Sequence, residues 1–72
     1  SLKGLIDPAA ELKRLDKQLA DKRKALQGAQ AKLNNENFVK NAPAEVVEQQ
    51  RASIADLQKQ IAAIEQNIKD LQ

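Results

Sequence analysis

Two stretches of leucine and isoleucine recur at heptad spacing in this chain, and the helices they imply are joined by only about eight residues. In the first, Leu12, Leu19, Leu26 and Leu33 repeat every seven residues, with Leu15 and Ala29 at the intervening positions and Lys22 as the interruption. In the second, Val47, Ile54, Leu57, Ile61, Ile64, Ile68 and Leu71 continue the pattern, with Gln50 as its one polar member. Such repeats place an apolar stripe along a helix and call for a second helix to cover it. Each helix would be ~40 Å long at 1.5 Å per residue, so a short connection cannot carry the chain back to its starting level. The spacing therefore predicts an all-α fold, a two-helix antiparallel coiled-coil hairpin.

The helix ends carry their own signals. Asp7 is a good N-cap, Pro8 suits the first helical position and Glu11 favours the positive end of the helix dipole. Pro43 and Glu45 announce a second start in the same way. The chain divides into a lead-in at 1–7, a first helix at 8–34, a loop at 35–42 and a second helix at 43–72, all one small domain. In an antiparallel pair, facing residues have numbers with a constant sum. A sum of 76 pairs Leu19 with Leu57, Leu15 with Ile61, Leu12 with Ile64 and Leu5 with Leu71. A sum of 83 pairs Leu26 with Leu57, Leu19 with Ile64 and Leu12 with Leu71. The first is preferred because it gives Leu5 a partner.

Catalysis finds no foothold here. The chain has neither histidine nor cysteine, no glycine-rich phosphate loop, and carboxylates scattered over outward positions, so this fragment is not expected to be an enzyme. Disulfides and the usual zinc sites are excluded. No apolar run approaches the ~20 residues of a membrane span, and there is no signal-peptide core. The absence of methionine, even at position 1, is expected for a domain excised from a longer protein.

Charge is unevenly shared. From 8 to 34 there are seven basic residues against three acidic, whereas from 43 to 72 there are three basic against five acidic. Lys13, Arg14, Lys17 and Lys24 fall on outward heptad positions of the first helix and are candidates to meet a polyanion, with Arg23 and Lys32 as secondary members. The plainer reading is a solvated coiled-coil face. Lys22, in the seam, is expected to extend its ammonium past it and to help set register or pairing. Gly28 weakens the first helix and is read as tolerated drift rather than as a place for close backbone approach.

Phe38, the only aromatic residue, sits in the connection "NNENFVKNAPAEVV". The open end of a two-helix hairpin has no third element to cover it. Phe38 and Val39, folded over Leu33, Val46 and Val47, are expected to plug that end. A base-stacking tip is the alternative.

"GLID" leading into a heptad helix, then "LNNENFVKNAPAEVVEQQR" leading into another, resembles the C-terminal coiled-coil, tRNA-binding arm domain of bacterial valyl-tRNA synthetases. The pattern falls on Leu33, Asn34, Asn35, Glu36, Phe38, Val39, Ala42, Pro43, Glu45, Val46, Val47 and Arg51, and its Phe-Val-x-x-Ala-Pro core is far more specific than heptads. The resemblance implies a cytoplasmic arm that docks on the outer corner of tRNA, where the D and T loops meet, through backbone and shape. Valine specificity and ATP then belong to the catalytic domain of the parent ligase, with no cofactor here. Asn37 stands where the family often has glycine, which predicts a left-handed Asn. "EQQR" is less charged than the family's usual stretch. The isolated domain is expected to be monomeric and off the membrane. The competing class is a coiled-coil protein-interaction or oligomerisation module that binds no nucleic acid.

Overall fold

The computed structural model describes residues 7–72, so the expected contact of Leu5 with Leu71 lies outside the described residues. Helix α1 spans Pro8–Asn34, a short helix α2 spans Glu36–Asn41, and α3 spans Ala44–Leu71. Together they form a rod of 55 × 16 × 15 Å.

Local chemistry accounts for each boundary. The Asp7 carboxylate accepts a hydrogen bond from the Ala9 amide at 3.1 Å, with Pro8 in the first turn, where its missing N–H costs nothing. Asn35 then breaks the helix by taking an extended conformation and caps the next one, its side-chain oxygen accepting from the amides of Asn37 at 3.0 Å and Phe38 at 3.4 Å. Ala42 and Pro43, both with ψ near 147°, turn the chain, and Pro43 is the N-cap of α3. Its carbonyl accepts from the amides of Val46 and Val47.

Three expectations change. Residues 36–41, read as loop, are helical, because Asn35 caps a turn that α1 could not continue into. Pro43, expected as the first helical residue, lies one position outside α3. Asn37 is not left-handed: no described residue has a positive φ, since Asn37 is inside a right-handed helix.

The register also differs from the preferred one. Leu15, Leu19 and Ile64 form the buried core, and Ile61, Ile68 and Leu71 pack against it. With a sum of 76, Leu71 would lie level with residue 5, ten residues or ~15 Å along the axis from Leu15. The observed cluster requires a sum near 83, with Leu19 level with Ile64 and Leu15 with Ile68. The physical reason is α2. Its six residues move the point of reversal from Phe38 to Asn41–Ala42, which shifts every facing pair by the same amount.

The core is small. Leu15 is 3% exposed, and Leu19, Val47 and Ile64 are each 8% exposed; no other described residue is buried. Gly28 lies on the outside of α1, and a Cβ built there would meet nothing within 4 Å. Gly28→Ala is therefore expected to stabilise the hairpin by about 1 kcal/mol, because only the helix propensity changes. A thermal melt should show a rise of several degrees, and a lower melting temperature would contradict this placement.

Candidate nucleic-acid interface

Lysine spacing on α1 builds a narrow stripe. At 100° per residue, Lys13, Lys17 and Lys24 fall within ~40° of one another around the axis and extend over ~16 Å along it. Ala20 and Ala31 share the same sector, so the stripe has low relief; Asp16 and Asp21 stand to either side of it. All three lysines are exposed, and among the described residues none is held in an ion pair. Three ammonium groups on one strip of helix, with no carboxylate between them, make a local positive potential that a chain of phosphates would neutralise.

The arginines behave differently. Arg14 is bidentate to Glu11 one turn earlier, its Nε donating at 3.2 Å and its terminal nitrogen donating to the other carboxylate oxygen. The hydrogen bond from Arg14, and then its charge, hold the Glu11 carboxyl below its ordinary value, while the same pairing raises Arg14. Both stay charged at neutral pH, and Arg14 has its nearest charge already balanced. Arg23 donates to Glu65 of α3 at 3.1 Å, an ion pair across the hairpin. Lys32 is exposed in the last turn of α1. The structure thus groups Lys13, Lys17 and Lys24, and engages Arg14 and Arg23 with carboxylates.

As ion-pair partners of Arg14 and Arg23, Glu11 and Glu65 add to the residues singled out by the sequence. The three-residue spacing of Glu11 and Arg14 was a readable signal. The Arg23–Glu65 pair depends on the register.

Helix α3 offers no comparable strip. Arg51 pairs with Glu48 at 3.5 Å, and Gln60 and Gln66 donate to Asp56 and Asp70 one turn away. The open sides of the seam are lined by mixed groups, Asp16, Glu65 and Lys69 on one and Asp21, Lys22 and Gln60 on the other. Among the described residues no three carboxylates gather where a metal ion could be held, and no helix is long and apolar enough to cross a membrane.

The family described as "Valyl tRNA synthetase tRNA binding arm" matches residues 7–72. Similar curated proteins are the valine–tRNA ligases of Psychrobacter arcticus, 43% identical over 97% of this chain, and Rhodopirellula baltica, 45% identical over 99% of it. That of Nitratiruptor sp. is 46% identical over 92% of the chain. The matched region is 7% of the first two relatives and 8% of the third, so the chain spans a small fraction of their length. No solved structure matches the chain.

Proposed function

The chain belongs to the valyl tRNA synthetase tRNA binding arm family, and from that premise we propose that it docks tRNA for a valine–tRNA ligase. The observation that supports this reading best is the lysine stripe: Lys13, Lys17 and Lys24 are exposed, close in angle and free of ion pairs among the described residues. In this proposal they meet phosphates at the outer corner of the tRNA, where the D and T loops join, with Arg14, Arg23 and Lys32 at the margins. Such contacts position a nucleic acid without reading its bases. A rigid arm joined to the rest of an enzyme adds affinity through effective concentration, so each contact can be weak. Valine selection, ATP and the ligation chemistry then belong to the remainder of the ligase, in the cytoplasm.

The test is a titration of the full-length ligase with tRNA at two salt concentrations, with the arm present and with it removed. The arm is expected to strengthen binding and to steepen its salt dependence, with the isolated chain sedimenting as a monomer. A stable dimer of the chain, together with tRNA binding unaffected by its removal, would instead assign it to protein assembly.

Phe38 and Val39 take a structural part in the same proposal. They are half-buried at the turn end, as are Leu33, Ala42 and Val46, beside the buried Val47 in sequence. Closing that end keeps the two helices in register and so keeps the stripe straight. Phe38→Ala is expected to cost about 2 kcal/mol, the scale of uncovering one large apolar side chain. A thermal melt checks it. An unchanged melting temperature with weakened tRNA binding would make Phe38 a stacking group.

A further inference from the structure

The two ends of the hairpin are held by different groups, and little holds the middle. At the base, Leu15, Leu19 and Ile64 are buried, with Ile61, Ile68 and Leu71 around them. The Arg23–Glu65 ion pair closes that region on the side toward the turn. At the turn, Val47 is buried and Phe38, Val39, Ala42 and Val46 are half-buried. Between these ends, no residue from 20 to 46 and none from 48 to 63 is buried.

The residue types explain the gap. In this stretch the seam contains Lys22, the small Ala29 and the polar Gln50, and Leu26, Ile54 and Leu57 are half-buried rather than buried. With a residue-number sum near 83, Ala29 lies level with Ile54 and Gln50 level with Leu33, so small or polar groups occupy two consecutive layers. Gly28, next to Ala29, weakens the helix at the same level. Among the described residues, the Arg23–Glu65 pair is the one side-chain hydrogen bond that crosses between α1 and α3, and it lies at the base-side margin of this stretch. Few buried apolar contacts and no cross-helix polar contact are the features of a region that opens at low free energy.

We infer that the arm is jointed: residues 24–33 of α1 and 50–59 of α3 form a waist at which the helices separate and flex, while the base cluster and the turn stay packed. The joint lets the turn-side half change its angle to the base-side half, so one rod can conform to a curved partner. Lys13 and Lys17 lie on the base side and Lys24 at the edge of the waist, so a small flexion there changes the spacing of the stripe. The joint is a property of the chain alone and stands or falls independently of tRNA docking.

The chain has no cysteine, which leaves it free for paired spin labels. Lys17 and Gln66, at the base, and Lys24 and Lys59, at the waist, are all exposed, and each pair sums to 83, so the two pairs span the hairpin at equivalent outward positions. Labels are placed by Lys17→Cys with Gln66→Cys, and by Lys24→Cys with Lys59→Cys, and the distances are read by pulsed dipolar spectroscopy without RNA. The expected result is a distance distribution about twofold wider at the waist than at the base. Ala29→Leu with Gln50→Leu, which fills the two weak layers, is expected to narrow the waist distribution to that of the base. Equal widths in the unfilled chain would overturn the joint, and so would a waist left broad in a folded filled variant. If the filled variant does not fold, the comparison of the two pairs in the unfilled chain still decides.

Discussion

Leu15→Ala is expected to remove about 3 kcal/mol or more, most of the stability available to a hairpin of this size. Among the described residues Leu15 is the least exposed, and it joins Leu19 and Ile64 in a cluster between α1 and α3. Truncating it removes apolar area and leaves a gap that the two helices close only by tilting. The helical signal in circular dichroism should fall at moderate temperature and melt broadly. Leu26→Ala, at the half-buried waist, should cost distinctly less. The reverse order would mean that the core lies in the middle of the rod. A double-mutant cycle gives the register directly: Leu19 should couple to Ile64 and show little coupling to Leu57.

How much of this was readable in advance follows from particular residues. The leucine and isoleucine heptads determine that there are two long helices, and the short connection determines that they run in opposite directions; both depend only on local periodicity. Register was not readable. Two seams of seven-residue repeat fit equally well at sums of 76 and 83, and the choice between them rests on how many residues the turn consumes. That depended on Asn35. An asparagine followed by a glutamate is a legitimate helix start, but the eight residues 35–42, which contain three asparagines and end before a proline, read more naturally as loop. Once α2 is formed, the reversal moves to Asn41–Ala42 and every facing pair follows.

At the candidate interface, heptad position sufficed to put Lys13, Arg14, Lys17 and Lys24 outside the seam, because outwardness is a property of one helix. Whether a charge is already balanced is a property of its neighbours. Glu11 takes Arg14 within the helix, and Glu65 takes Arg23 across it; the second pairing is invisible without the register. The candidate set therefore contracts to three lysines, with the arginines as partial contributors.

Reversing Lys13 and Lys17 to glutamate is expected to weaken tRNA binding by the full-length ligase strongly, with helicity unchanged because neither side chain is part of the seam. Each phosphate contact releases condensed counterions, so losing two should flatten the log–log salt dependence by roughly 1.4–1.8. Part of the loss also comes from repulsion between the new carboxylates and the phosphates. Reversing Arg51 and Lys59 on α3 should have a smaller effect, since Arg51 is already paired with Glu48 and the helix is net acidic. Because the proposed contact is to backbone, the loss in the arm's contribution should be similar for different tRNAs. Arg14→Ala alone should change the salt slope little, as Glu11 already balances its charge; a change as large as that of Lys17→Ala would mean that RNA displaces Glu11.

The central claim, that tRNA lies along the α1 stripe, is tested most directly by lysine footprinting of the full-length ligase. Reactivity of each lysine amine toward an acylating reagent is compared with and without bound tRNA. Lys13, Lys17 and Lys24 are expected to be protected together, with Lys59 and Lys69 on α3 reacting as in the free enzyme. Protection of the α3 lysines in their place, or no protection of any lysine in the arm, would contradict the account.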